Sequence, residues 1–238
     1  MPDKLPLSMP IPQEPKGKRV SAAEVEKMLL EKLAYYERQL EKTIFDLACL
    51  NSRMGHPEIG MQYINRLMAN KDDLEKKASY LLAMGSLMEQ IKNYEAAIVF
   101  YSQALSLEPT NSMTWYFINN NLGYCLNYFN KYIEAEPYCR AAIKIDPRKQ
   151  NAYKNLGISM EGQGKYTEAA MFYIKAVEAN ARDPRAFMLL QELVAKHEAI
   201  QFDIPDIQVQ IKKCHEAVKL AQRVLLRNQY KQDKNADA

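Results

Sequence analysis

Glycine is scarce in this 238-residue sequence, with eight residues in all. Runs of alternating β-branched residues are scarce too, and the two shortages together argue against a sheet and for an all-helical chain. No stretch approaches the roughly 18 consecutive apolar residues of a membrane-spanning helix, so no membrane span is expected. The first twenty residues lack the apolar core of a secretory signal. They hold five prolines instead (Pro2, Pro6, Pro10, Pro12, Pro15), so 1–20 reads as a disordered, partly polyproline-like tail and the expected compartment is the cytoplasm.

Residues that carry chemistry are thin as well. Cys49, Cys125, Cys139 and Cys214 form no C-x-x-C pair and fall inside apolar helical patterns, so their expected role is packing. Cys214 adjoins His215, but helix neighbours point about 100° apart and no second pair has ligand spacing, so no metal is expected. His56, His197 and His215 are dispersed, with no Ser/His/Asp or Cys/His arrangement. Gly162-x-Gly164 falls at a helix–helix turn rather than after a strand, which is no dinucleotide loop. Neither catalysis nor a cofactor is expected. Net charge is +3, and residues 205–238 hold seven Lys/Arg against four Asp/Glu, while 1–20 hold four against two. The middle is therefore slightly acidic, which argues against nucleic acid as a partner.

What the sequence does have is a repeat. Met84-Gly85, Leu122-Gly123 and Leu156-Gly157 each sit in a helical pattern. Nine residues after each glycine stands Tyr94, Tyr132 or Tyr166, and twelve after stands Ala97, Ala135 or Ala169. Nineteen after stands Ala104, Ala142 or Ala176, and twenty-four after stands Pro109, Pro147 or, in the third unit, Ala181. The spacing predicts hairpins of two antiparallel helices, with small residues at Gly85, Ala97, Gly123, Ala135, Gly157 and Ala169 where the helices approach closely. No such unit buries its apolar face alone, so stacking must supply the core.

These offsets resemble the tetratricopeptide repeat, W-x2-L-G-x2-Y followed by A-x3-F and P over 34 residues. The resemblance is carried by Leu81, Met84-Gly85, Met88, Ala97-x3-Tyr101 and Pro109; by Asn119, Leu122-Gly123, Leu126, Ala135-x3-Cys139 and Pro147; and by Tyr153, Leu156-Gly157, Met160 and Ala169-x3-Tyr173. Asn119 and Cys139 fit the pattern least. It implies a right-handed superhelical stack with three clear units, 78–111, 116–149 and 150–183. Ile44, Leu47-Ala48, Gly60-x3-Ile64 and Leu67 mark a degenerate unit at 41–74.

Pro137 falls inside the second helix of the middle unit, which predicts a late start or a bend there. Residues 21–51 read as one amphipathic helix begun by a Ser21/Glu24 capping box and covering the N-terminal end of the stack. Residues 184–230 read as C-terminal capping helices within a single domain spanning 21–230, and 231–238 as a disordered tail. Ile207, Ile211, Cys214, Val218, Ala221 and Leu225 form a heptad-like seam on the last helix. Lys212, Lys213, Lys219, Arg223 and Arg227 supply its polar side.

In the family, first helices of successive units line a groove that grips a peptide or helix of a partner protein. Carried over, the resemblance places Ser79, Leu82, Ser86 and Glu89 there from the first unit. The second unit supplies Phe117, Asn120, Asn121, Tyr124, Asn127 and Tyr128, and the third Asn151, Lys154, Asn155, Ile158 and Glu161. Trp115 to Asn130 is dense in asparagine and aromatics, a composition helix propensity would not choose. Asparagine amides can pair with both backbone groups of an extended peptide. The lysine, arginine and asparagine set with which some members clamp a terminal carboxylate is missing save for Asn121: Leu82, Ser86, Asn151 and Asn155 stand at its other places. The leading expectation is a protein-interaction adaptor. The alternative is a self-associating homo-oligomer that uses the C-terminal seam.

Overall fold

The computed structural model describes residues 21–69, 73–197, 202, 204 and 206–236; the Pro-rich stretch 1–20 lies outside them. Helices α1 (Ala22–Arg53) and α2 (Pro57–Met68) form the first hairpin. Helices α3 (Leu74–Gln90) and α4 (Tyr94–Ser106), α5 (Ser112–Tyr128) and α6 (Tyr132–Ile145), and α7 (Gln150–Gly162) and α8 (Tyr166–Ala179) form three more. Then follow α9 (Arg185–Lys196) and α10 (Ile207–Ala236). Each helix packs on the next in chain order.

The hairpin geometry follows from the spacing. A Cβ on Gly85 would run into the Tyr101 ring, on Gly157 into the Tyr173 ring, and on Gly123 into Cys139 Sγ. Cys139, a poor match to the aromatic of the pattern, is thus the side chain that closes on the glycine of the middle unit. In the first hairpin the small pair is exchanged between the helices: Ala48 stands where the others have glycine, and Gly60 where they have alanine. A Cβ on Gly60 would lie 2.8 Å from the Ala48 carbonyl oxygen.

The turns are built alike. Gly55, Lys92, Asn130 and Gly164 each take a positive φ (87°, 61°, 57° and 76°), each seven residues after Ala48, Gly85, Gly123 or Gly157. The next amide closes a bond six residues wide, to Asn51, Met88, Leu126 and Met160, each 2.9 Å. That is the Schellman closure, which satisfies carbonyls left open at a helix end. Asn93 and Asn111 cap α4 and α5 through their side chains.

The core lies along the stack in two main clusters, one from α1 to α5 and one from α6 to α10. Ile64, Tyr101, Ile118, Leu156, Tyr173 and Leu190 are fully buried, and each such aliphatic side chain contributes roughly 1.5–3 kcal/mol. Ala97, Ala104, Ala135, Ala142, Ala169 and Ala176 are sealed between helices.

Three expectations change. Helix α6 starts at Tyr132, at the same offset as its counterparts, despite Pro137 within it. Pro137 and Ile133 are both exposed, so the carbonyl that loses its i→i−4 partner faces solvent, which can satisfy it. Helix α1 does not cover the end of the stack. Only Ile44, Ala48 and Ser52 are buried on it, while Val25, Leu29, Leu33, Tyr36 and Leu40 stay 44–61% exposed. With no glycine or proline between residues 22 and 53, nothing ends the helix before its hairpin. Helix α10 runs to Ala236, past the expected end at 230. Its seam is occupied at its start: Ile207, Ile211, Cys214 and Val218 join the core of α8 and α9. That stretch is therefore unavailable for self-association.

Gly123→Leu is expected to push α5 and α6 apart and lower stability by about 1–3 kcal/mol. Thermal unfolding followed by circular dichroism checks this, and an unchanged midpoint contradicts the close contact with Cys139.

Candidate functional site

Successive first helices touch one another: α3 meets α5, and α5 meets α7. The second helices α4, α6 and α8 make no comparable contact among the described residues. The first-helix side is therefore the shorter side, and the stack curves around it as an inner face.

Residues expected on that face divide into two sets. Asn120, Asn127 and Asn155 are 7%, 5% and 2% exposed. Asn155 Nδ2 donates to the Asn120 carbonyl at 3.3 Å and to its Oδ1 at 3.1 Å. Asn127 Nδ2 donates to the Asn155 carbonyl at 2.8 Å, and Ser159 Oγ donates to Asn127 Oδ1 at 2.8 Å. These bonds tie α5 to α7 across the repeat boundary. The three asparagines hold units together and do not line an open groove. Between closely packed helices only a side chain with both donor and acceptor can bridge the groups it dries. Asn119 is buried too and donates to the Trp115 carbonyl of its own helix at 2.9 Å.

The second set keeps part of its surface: Ser79, Leu82 and Ser86 on α3, Phe117, Asn121, Tyr124 and Tyr128 on α5, and Asn151, Lys154 and Ile158 on α7. Some are partly engaged. Ser79 Oγ donates to the Glu75 carbonyl of its own helix at 3.1 Å. Asn121 Nδ2 donates to Tyr101 Oη at 3.1 Å, and that hydroxyl donates to Glu89 Oε1 at 2.7 Å. Burial raises the Glu89 carboxyl pKa, with the Tyr101 bond opposing. Tyr173 and Glu161 repeat the pair at 2.8 Å.

Tyr124 and Tyr128 meet Tyr94 of the preceding unit at ring-centroid distances of 6.0 and 4.1 Å. The same offset places Tyr132 against Gly162 and stacks Tyr166 on His197 at 3.9 Å. Phe117 sits toward the repeat boundary, with Lys149 Nζ 5.4 Å from its ring.

Lys154 is the cation of this second set. Burial lowers its ammonium pKa, neighbouring Arg185 pushes the same way, and Asp183 opposes. Asp183 is itself held by Arg185, whose Nε lies 2.9 Å from Oδ1, and its carboxyl falls to about 2 chiefly through that bond. A half-buried lysine beside an arginine favours an anion in contact with it. Arg185 and Leu189 on α9 belong to this region: Leu189 lines a cleft of about 400 Å³ with Ile158, Glu161, Tyr166 and His197. Neither was identified from sequence, because α9 lacks the glycine and alanine that mark the other units. The only available signal was its distance of one repeat from α7.

Asn155→Ala is expected to leave the buried Oδ1 of Asn120 unpaired and to lower stability by about 1–3 kcal/mol. Urea denaturation measures it; an unchanged midpoint would place that amide outside the inter-repeat ladder.

Comparison with known proteins agrees with this geometry. Residues 78–111 and 118–149 match the tetratricopeptide repeat family. The chain is 33% identical over 124 residues to small glutamine-rich tetratricopeptide repeat-containing protein 2 of Mycosarcoma maydis, covering 52% of this chain and 33% of that protein. It is 30% identical over 132 residues to human serine/threonine-protein phosphatase 5, covering 55% of this chain and 26% of that protein. The chain thus spans a third or less of the length of these relatives. Its fold is similar to MamA from Desulfovibrio magneticus RS-1, with a TM-score of 0.56 at 20% identity, covering 79% of this chain and 96% of that one. Offsets, hairpins and matches coincide: the chain carries tetratricopeptide repeats at 78–111 and 118–149 within an all-α, right-handed superhelical stack of helical hairpins.

Proposed function

We propose that the chain is an interaction adaptor that holds an extended peptide or a helix of a partner protein along its inner face. The observation that carries this reading is Lys154, half-buried on α7 beside Arg185, with Ile158 one turn further along the same helix and Tyr124 of α5 close to Arg185. Such a surface offers aromatic and aliphatic contact at little entropic cost, with one cationic point to set register. The partner segment therefore carries an acidic side chain or a carboxylate flanked by apolar residues.

Its affinity rests on Leu82, Tyr124, Ile158 and Lys154, with Ser86 and Asn151 at the margins. Asn120, Asn127 and Asn155 contribute by holding the frame. Carboxylate recognition by the lysine, arginine and asparagine set named above is not part of this reading, since Leu82 and Ser86 stand at two of its places. The phosphatase activity that one relative's name gives is not carried over, since the match covers only 26% of that protein.

The test is capture from native lysate with wild-type chain and with Lys154→Glu, followed by titration of the captured partner. Charge reversal is expected to weaken binding about 10-fold or more, or about 1.4 kcal/mol, with thermal stability retained. Equal capture by both baits would move binding off the inner face.

A further inference from the structure

Helix α1 is built for more than its hairpin. It has 32 residues, whereas α2 beside it has 12. At 1.5 Å per residue these are roughly 48 and 18 Å long. From Ala22 to Leu40 no residue is buried, although the segment is rich in leucine and tyrosine.

Read in sevens, Leu29, Leu33, Tyr36, Leu40, Leu47 and Leu50 occupy consecutive a and d sites, interrupted only by Thr43. All six are exposed, from 36% at Leu47 to 61% at Leu29. The stripe extends over three heptads, the length at which such a pattern argues for a coiled coil. The residues that α1 buries, Ile44, Ala48 and Ser52, lie roughly a third of a turn away. Hairpin and seam therefore use different faces of one helix.

We propose that this chain pairs with a second copy of itself through the α1 seam. The flanking charges are self-complementary. Lys32 takes a g site and Glu37 the e site five residues on, so in a parallel pair each Lys32 faces the other copy's Glu37. In an antiparallel pair Asp46, also at a g site, takes that place. A membrane surface fits less well, because such helices carry a Lys/Arg-rich polar face. Here Glu24, Glu26, Glu31 and Glu37 outnumber Lys27, Lys32 and Arg38 over residues 22–40. The pairing needs no partner bound on the inner face, so it stands or falls independently of the adaptor reading.

The experiment is sedimentation equilibrium of the full chain. Wild type is expected as a dimer. Leu33→Asp/Leu40→Asp is expected to weaken association at least about 100-fold, since each dimer loses four buried leucines. Helicity should hold, because both side chains are free of the hairpin, and the thermal midpoint should fall only by what association contributes, losing its dependence on protein concentration. If aspartate lowers helicity, Leu33→Gln/Leu40→Gln, which keeps helix propensity, decides the same question. Leu220→Asp/Leu226→Asp on α10 is expected to leave the dimer intact. A monomeric wild type overturns the proposal, and so does a dimer that survives the folded α1 variants.

Discussion

The constraint on which the structure depends is the distance between the two helices of each hairpin. A glycine on one helix meets a ring or a sulfur on the other, and an alanine sits sealed beside it. That approach fixes the turn, since four hairpins place a left-handed residue seven positions on and close it with the same bond. It also fixes which helix reaches the neighbouring unit. First helices touch first helices, so the stack curves, and the curvature makes an inner face. Each glycine weakens its helix by up to about 1 kcal/mol relative to alanine, which close packing of Tyr101, Cys139 and Tyr173 must offset.

On that face a single residue type serves two ends. Asparagine can meet a ligand backbone or join two helices, and here burial decides. Asn120, Asn127 and Asn155 are dry and bonded between α5 and α7, so they hold register between units. Asn121 is intermediate, tied through Tyr101 to Glu89 and still partly open. What remains for a ligand is aromatic and aliphatic surface with Lys154 as its cationic point.

Much of the fold was legible because it rests on spacing. The offsets from glycine to tyrosine, alanine and proline located the hairpins, and the degenerate unit at Ala48 and Gly60 forms the same turn with the small pair exchanged. The site was less legible. Offsets place a residue on a helix face but do not show how near the next unit comes, so buried and open asparagines look alike in sequence. Arg185 and Leu189 escaped notice because α9 keeps the position of a repeat helix without its small-residue signature. The two ends are a third case. The same amphipathic periodicity is covered at the start of α10 and bare along α1, and only the lengths of the neighbouring helices distinguish them.

The central claim is that the inner face holds the partner while the buried amides hold the face. Hydrogen–deuterium exchange of the full chain, with and without a captured partner, tests it most directly. The account predicts added protection across α3, α5 and α7, with α4 and α6 unchanged. Protection confined to α1, α10 or the second helices would contradict it.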